Sequence, residues 1–373
     1  MLTRFFSLLA LLSGSLAATA ADNPSAANDE HRYLYVAAPG VRNYLEYGGH
    51  GLLVFDIDNG HKFVKRIPTG GLDAKGQPLN VKGVCACAKT GRIYISTTQQ
   101  LLCLDLVTEQ LVWEKTYKDE GGCDRMSITP DGKTIYLPSL ESAHWHVVNA
   151  ADGEVIKKIV PNSGAHNTVV GVDGKQAYLA GLRSPLLTVV DTSTNEVVKT
   201  VGPFAAAIRP FTVNGTSTLA LVNINGLLGF EIGDIETGKK LHRIEVAGFK
   251  QGPVKRHGCP SHGIGLTPDE REIWVADATN ERLHVFDASV MPPKQVESIK
   301  LKDEPGWVTF SLDGKYAYPS TGDVIDTKTR KILLELKDET GAAVMSEKMV
   351  EIHFADGKLV RNGDQFGLGR VLK

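Results

Sequence analysis

The chain has 373 residues, with 41 lysines and arginines against 43 aspartates and glutamates, and a formal net charge of −2 at pH 7. This balance argues against a nucleic-acid partner, which would require a concentrated basic patch. Five cysteines in so long a chain exclude a small disulfide-framework protein, because they allow at most two bridges.

The N-terminus has the pattern of a secretory signal peptide. A basic start ends at Arg4, an apolar run covers residues 5–16, and small residues at Ala18 and Ala20 form a cleavage site. The run is too short to cross a bilayer and no other long apolar stretch follows, so we expect no membrane span. We predict a signal peptide over residues 1–20, a flexible segment over residues 21–30, and a mature protein that is periplasmic or secreted.

Tight turns recur along the rest of the chain. Several have an Asp-Gly sequence, as in ITPDGKTIYL and FSLDGKYAYP, and each separates two runs of alternating apolar residues. Third and fourth strands such as LHVFD and EVVKTV follow most turns. The spacings are 41, 42, 41, 55, 44 and 43 residues between the turn residues Thr90, Asp131, Asp173, Asn214, Asp269, Asp313 and Asp356. This pattern predicts an all-β, seven-bladed β-propeller over residues 31–373, with four antiparallel strands per blade.

The two ends of the predicted ring complement each other. The first strands, RYLYVAA, GLLVFDI and KFVKRI, lack an innermost partner, and the last repeat supplies one in VEIHF. We predict that this C-terminal strand joins the N-terminal blade and closes the ring without a free edge.

The units LLTVVDTSTNEVVKTVG and TPDEREIWVAD resemble the YVTN-type β-propeller repeat family. The strand motif is degenerate in this chain, where it reads IYLP, AYLA or IWVA. The resemblance covers residues 31–350 and implies a secreted or surface-associated propeller, similar in architecture to lactonase-type and quinoprotein-type propellers. Because the activities of such propellers differ widely, the resemblance implies a scaffold and no particular reaction.

The repeat register gathers polar residues at one mouth of the central channel. Seven residues before each turn an innermost strand begins, and three of these positions hold Asp124, His166 and His262. Two residues deeper, the same register brings Arg209 and Glu351 close to this ring. We predict a ligand-binding group that consists of Asp124, Arg125, Asn167, Trp307 and Glu351.

Loop lengths indicate the binding face. The turns between first and second strands are uniformly tight, whereas the length varies in the loops 38–51, 68–80, 138–144 and 247–261. These four loops should lie on the face where the innermost strands begin, and insertions gathered on one face commonly mark a binding face. The longest of them carries His257 in the stretch RHGCPSHG.

Three interpretations of the mouth remain open. A divalent metal could be bound by His166, His257, His262 and Asp124, although in a wide channel blades two apart need not bring each ligand within the roughly 2 Å of a shared ion that coordination requires. One histidine, His166 or His262, could instead act as a base while Arg209 holds a substrate carboxylate, as a lyase- or lactonase-class enzyme requires. A polar ring can also be the solvated end of the core. We predict a binding protein for a small polar ligand, a metal ion or a protein partner, with the enzyme as the alternative.

The cysteines indicate neither haem attachment nor a definite bridge. Cys259-Pro-Ser-His262 lacks the first cysteine of a c-type haem motif. Cys85 and Cys87 occupy positions that are apolar in other repeats, so we expect buried thiols. A bridge between Cys123 and Cys259 is geometrically open, and pairing among the five, which include Cys103, is not determined by the sequence.

Overall fold

The computed structural model describes residues 1, 30–117 and 121–372. The predicted signal peptide and the segment after it lie outside this part of the chain, apart from Met1 and Glu30. Within the described part, no helix is long and apolar enough to cross a membrane. Helical structure there is limited to one 3₁₀ turn at Leu45–Tyr47.

Seven antiparallel sheets form the ring, one for each predicted blade. Blade 2 contains β4 (Val81–Cys87), β5 (Arg92–Thr97), β6 (Gln100–Asp105) and β7 (Leu111–Thr116). Blade 3 contains β8 (Ser127–Ile128), β9 (Thr134–Pro138), β10 (Trp145–Asn149) and β11 (Val155–Ile159). Blade 4 contains β12 (Ala165–Val170), β13 (Gln176–Gly181), β14 (Leu187–Asp191) and β15 (Glu196–Val201).

The next three blades repeat this order, with the first strand innermost. Blade 5 contains β16 (Ile208–Val213), β17 (Leu219–Ile224), β18 (Gly229–Asp234) and β19 (Lys239–Glu245). Blade 6 contains β20 (Ile264–Leu266), β21 (Glu272–Asp277), β22 (Arg282–Asp287) and β23 (Lys294–Lys300). Blade 7 contains β24 (Val308–Phe310), β25 (Tyr316–Pro319), β26 (Asp323–Asp326) and β27 (Lys331–Glu335).

Blade 1 closes the ring with strands from both ends of the chain. Its order is β29-β28-β1-β2-β3, and its bounds are β1 (His31–Ala38), β2 (Gly51–Asp56), β3 (Lys62–Ile67), β28 (Met349–Ala355) and β29 (Lys358–Asn362). β28 pairs antiparallel with β1, so that Met349 lies opposite Val36. The predicted fold class and ring closure are therefore confirmed. The run predicted after the Asp356 turn forms β29, and it adds a fifth strand on the inner side of β28.

The core lies between neighbouring blades. Successive side chains of a strand point to opposite faces, and both faces of a blade pack against another blade. The middle strands are therefore apolar on both sides, as in β14, where Val189 and Val190 are both fully buried. The five cysteines are all free and buried in this core, so the open Cys123–Cys259 bridge does not form. Burial raises the pKa of the Cys259 thiol to about 12.

The last residues of the chain fill the channel at the end that carries the tight turns. Backbone N–H groups of Leu266 and Gly369 bond to the carbonyls of Gly367 and Val213, at 2.8 and 3.1 Å. Gly367 has a φ of 57°, and a Cβ there would lie 2.8 Å from the Cα of Gly265, so only glycine fits. The indole Nε1 of Trp307 donates to the carbonyl of Gln365. Trp307 therefore connects this C-terminal plug with the opposite mouth.

Candidate functional site

A cavity of about 100 Å³ lies at the mouth on the loop-bearing face. Each of the four long loops contributes at least one lining residue, so the cavity lies on the face where these loops were predicted to gather. The inner-strand ends and loops together supply Arg42, Asn80, Lys82, Arg125, Glu141, His166, Leu182, Arg209, Arg256, His257, Gly258, His262, Glu347 and Lys348. The channel is narrow here, because Arg125 of blade 3 reaches Glu347 at the entrance of blade 1.

Most of the residues predicted from the sequence meet at this cavity. His166, His257, His262, Arg125 and Arg209 line it directly. Three more lie immediately behind them. Asp124 bonds to His166, and Asn167 forms a backbone β-bridge with Arg125. The guanidinium carbon of Arg125 lies 4.7 Å from the centroid of the Trp307 ring. The rings of His166 and His262, from blades two apart, have centroids 6.5 Å apart, so the channel is narrow enough for both to line one cavity.

Bulges in the innermost strands direct several of these side chains into the cavity. The pairing register skips Lys82 in β4, His166 in β12, and Arg209 with Pro210 in β16. A bulge leaves one residue unpaired and re-aims its side chain, and bulges are over-represented beside functional sites. Blades 2, 4 and 5 thus each present one basic or imidazole side chain to the same space.

Glu351 lies elsewhere, contrary to the predicted position. It pairs with Leu34 in an uninterrupted register, and its side chain faces blade 7. Its carboxylate accepts hydrogen bonds from the Leu312 N–H and from His353 Nε2, each at 2.6 Å. Because β28 has no bulge at this position, the side chain of Glu351 points between the blades.

Glu347 and Lys348 were not predicted from the sequence, although they are central to the mouth. The available signal was a pair of charged residues directly before the innermost strand of the last repeat. Glu347 Oε2 accepts hydrogen bonds from Arg125 and, at 2.6 Å, from Lys348, and its Oε1 lies 3.4 Å from His257 Nδ1. Burial opposes ionisation of Glu347, but Lys348 and Arg125 hold its pKa well below the usual range. Burial lowers the pKa of Lys348 to about 7.

His166 is oriented by a buried carboxylate. Its Nδ1 lies 2.6 Å from Asp124 Oδ2, while Lys82 Nζ lies 3.5 Å from Asp124 Oδ1. Burial opposes ionisation of Asp124, but Lys82 and His166 hold its pKa well below the usual range. An ionised carboxylate can only accept, so Nδ1 carries the proton and Nε2 keeps a lone pair. That Nε2 is buried and has no hydrogen-bond partner among the described residues.

His262 and His257 form a stacked pair beside Glu347. Their ring centroids are 4.5 Å apart, with an angle of 25° between the planes. His262 Nδ1 lies 2.8 Å from the carbonyl of Gly306, which can only accept, so the lone pair is again on Nε2. Burial lowers the pKa of both imidazoles, and for His262 the neighbouring His257 lowers it further. At neutral pH both rings are uncharged.

The donor atoms of His257, His262 and Glu347 lie within 4.8 Å of one another. These are residue types that bind transition metals. The group differs from the predicted metal set of His166, His257, His262 and Asp124, because the Asp124 carboxylate is occupied by His166 and Lys82. Glu347 supplies the carboxylate instead.

A serine–histidine–aspartate chain does occur in blade 6, away from the cavity. His284 Nδ1 lies 2.9 Å from Ser298 Oγ, and His284 Nε2 lies 3.0 Å from Asp277 Oδ2. His284 and Asp277 are fully buried, and Gln295 also bonds to Ser298 Oγ at 3.1 Å. The three residues come from β21, β22 and β23. We interpret the chain as a structural connection between these strands.

A larger cavity of about 290 Å³ lies beside the C-terminal plug at the opposite end. Its described lining contains no histidine, and its one carboxylate, Asp364, already pairs with Arg370 at 2.6 Å. The chemistry therefore concentrates at the loop-bearing mouth.

Comparisons with known proteins extend the fold assignment. No protein-family model matches the chain, and no curated protein matches it. The solved structure of a dihydro-heme d1 dehydrogenase, NirN, in complex with DHE has a TM-score of 0.60 and 14% identity, over 89% of this chain and 73% of that chain. The Kuenenia stuttgartiensis hydrazine synthase has a TM-score of 0.45 and 13% identity, over 68% of this chain and 95% of that chain. At such low identity, the first likeness shows the propeller fold alone.

Proposed function

We propose that the channel mouth binds a small anionic ligand, namely a carboxylate or phosphate group carried by a larger molecule. The observation that carries this proposal is the charge of Arg42 and Arg209. Both line the cavity, and neither forms an ion pair with an acid in the part of the chain that the structure describes. Arg209 instead donates to the side-chain oxygen of Asn225 at 2.6 Å and to the carbonyl of Gly258 at 3.0 Å.

The remaining charges of the mouth are largely compensated. Glu347 balances Arg125, Asp124 balances Lys82, and Asp303 pairs with Arg256 at 2.7 Å. Lys348, which also contacts Glu347, and the carboxylate of Glu141 are opposite charges that line the same cavity. The two arginines therefore leave an excess of positive charge in a confined space. Arginine presents a planar set of donors that matches a carboxylate or phosphate, which favours an anion over a neutral ligand.

The size of the cavity limits what enters it. Ligand pockets for drug-sized molecules are about 300–1,000 Å³, whereas this cavity is about 100 Å³. The acidic head of a ligand fits, and the rest of the molecule would lie against the long loops. Because His166 and His262 keep unprotonated Nε2 atoms, they can accept hydrogen bonds from ligand hydroxyls. We therefore favour hydroxylated acids, such as uronic acids, over simple carboxylates.

A second function is favoured by the bond between His166 and Asp124. A neutral imidazole whose Nδ1 is held by a carboxylate is arranged to remove a proton with Nε2. With Arg209 holding the acid group, His166 or His262 could act as the base of a lyase- or lactonase-class enzyme. Fold likeness does not decide between binding and catalysis.

The test compares D-galacturonate with the neutral sugar D-galactose by calorimetry, followed by a depletion assay on uronate-containing oligosaccharides and lactones. We expect the acid to bind and the neutral sugar not to bind. Arg209→Met should weaken acid binding at least about tenfold, the loss of one charge-assisted contact, whereas the exposed control Arg271→Met should not. Equal binding by wild type and Arg209→Met would contradict the proposal. Constant ligand concentrations would favour the binding protein, and depletion would favour the enzyme.

We further propose that the protein works outside the cytoplasm, in the periplasm or after secretion. This follows from the signal peptide predicted over residues 1–20 and agrees with the resemblance to YVTN-type propellers. N-terminal sequencing of the exported protein should begin at Ala21.

A protein partner could also supply the anionic group. An acidic side chain or a C-terminal carboxylate of such a partner would enter the cavity, while the rest of the partner would lie against the long loops.

A further inference from the structure

We propose that His257, His262 and Glu347 bind a divalent transition-metal ion at the channel mouth. The proposal deepens the proposed function, on which it rests for the role of the ion, because a bound metal would be a further positive centre for the anionic ligand. The chemical class follows from the donors. Two imidazoles and one carboxylate suit zinc and its first-row neighbours better than calcium or magnesium, which prefer oxygen ligands.

The distances between the donors fit an ion after small side-chain shifts. All three donor atoms lie within 4.8 Å of one another. Two ligands that are each about 2.1 Å from a zinc ion can be at most about 4.2 Å apart. Rotations of the buried side chains that move a donor by under about 1 Å therefore complete the site.

The protein orients the two histidines in advance. The hydrogen bond from His262 Nδ1 to the Gly306 carbonyl, 2.8 Å long, leaves Nε2 as the ligating atom. Metal-binding histidines usually donate their other ring N–H to a carbonyl or carboxylate in this way. His257 fits only because residue 306 is glycine, since a Cβ at that position would lie 2.2 Å from its Cε1 and Nε2.

Glu347 has one oxygen available for the ion. Oε2 is held by Arg125 and Lys348, whereas Oε1 faces His257 at 3.4 Å. Arg125 and Lys348 thus fix the carboxylate, and their charge also lowers the affinity for a cation. We expect binding weaker than at a structural zinc site. Three protein ligands leave coordination positions open towards the cavity, as in zinc sites that bind water or substrate.

The experiment titrates Co²⁺ into the chelator-treated full-length protein and follows the visible absorption, then displaces it with Zn²⁺. We expect one ion per chain. His262→Gln and His257→Gln should each weaken binding at least about 100-fold, since loss even of an outer-shell partner costs 10–100-fold. The matched control His242→Gln, on β19 outside the cavity, should bind as wild type does. Circular dichroism of each apo variant shows whether it is folded.

Absence of Co²⁺ and Zn²⁺ binding by the wild type would overturn the proposal, and so would wild-type affinity in both cavity variants. If one histidine variant does not fold, the other decides. D-galacturonate binding is measured on the same samples with and without metal. If the wild type binds D-galacturonate but no metal, the metal site is refuted and the proposed function stands. If the wild type binds metal but no D-galacturonate, the proposed anionic ligand is refuted and the metal site stands.

Discussion

His166 donates its Nδ1 proton to Asp124, with 2.6 Å between Nδ1 and the carboxylate oxygen, and this bond turns the free Nε2 towards the cavity. The bond joins blade 4 to blade 3 and lies entirely in the interior. Its carboxylate stays ionised because Lys82 lies 3.5 Å away. The tautomer of His166 therefore depends on Asp124, and so should ligand recognition.

Asp124→Asn should weaken D-galacturonate binding by up to about tenfold, the effect of losing one hydrogen bond to a ligand hydroxyl. An asparagine amide can donate to Nδ1, which would move the ring proton to Nε2 and remove the acceptor. Calorimetry measures the affinity, and circular dichroism checks the fold. Binding that equals that of the wild type would show that the tautomer of His166 does not matter.

Arg125→Met should lower the free energy of unfolding by about 3–5 kcal/mol, because it leaves the buried Glu347 carboxylate without one of its partners. Methionine keeps an apolar contact with the Trp307 ring. Urea denaturation measures the change. Lys65→Met is the control, since it breaks the exposed ion pair with Glu109 and should cost under about 1 kcal/mol. Equal losses in both variants would refute a special role for the buried pair.

The stability of the fold should depend on pH through His61. Burial and the nearby Arg32 lower the pKa of His61 to about 4, and its Nε2 lies 3.0 Å from the Tyr318 hydroxyl. Between about pH 6.5 and pH 4 the histidine is protonated in the unfolded state, where its pKa is about 6.5, but stays neutral in the folded state. Stability should therefore fall as the pH falls from about 6.5 to 4, by a total of about 3 kcal/mol.

His61→Asn should remove this part of the pH dependence. Asparagine tolerates the positive φ of 57° at this position. Urea denaturation of both proteins at several pH values between 4 and 7 tests the assignment. Parallel curves for the two proteins would assign the dependence to other groups.

Two truncations should separate ring closure from channel filling. Removal of residues 349–373 deletes β28 and β29, the two inner strands of blade 1, so we expect no folded ring. Removal of residues 363–373 keeps β28 and β29 but empties the channel, so we expect a folded, less stable protein. The fluorescence of Trp307 should shift to the red, because its indole loses Gln365 and gains water. A fully stable protein after the longer deletion would contradict the closure of the ring by β28.

Gly306→Ala should reduce Co²⁺ affinity at least about tenfold, through displacement of His257. The added Cβ would lie 2.2 Å from that imidazole and 2.5 Å from Glu347 Oε1, so it would disturb two of the three proposed ligands. Gly363→Ala is the matched control, because a Cβ there meets only ordinary contacts at 3.6 Å or more. Unchanged Co²⁺ affinity in Gly306→Ala would contradict the proposed ligation by His257 and Glu347.

The blade architecture could be predicted from the sequence because it depends on local patterns. Alternating apolar residues and Asp-Gly turns specify each hairpin, and a constant period specifies how hairpins stack. Ring closure could be predicted from the same count of strands. The first blade lacks an innermost partner for RYLYVAA, and VEIHF is the extra strand in the last repeat. The register even placed Asp124, His166 and His262 near one another, because equivalent positions in a closed ring share one height.

The sequence by itself therefore determined the fold, the face that carries the long loops and most of the polar ring. Only the tertiary structure decided which side chains enter the cavity. The bulges at His166 and Arg209 turn these residues inward, whereas the regular pairing of Glu351 turns it between blades. Bulges depend on how twisted strands meet across the ring, and so does the cross-channel pairing of Arg125 with Glu347. Such long-range contacts leave no periodic signal in the chain.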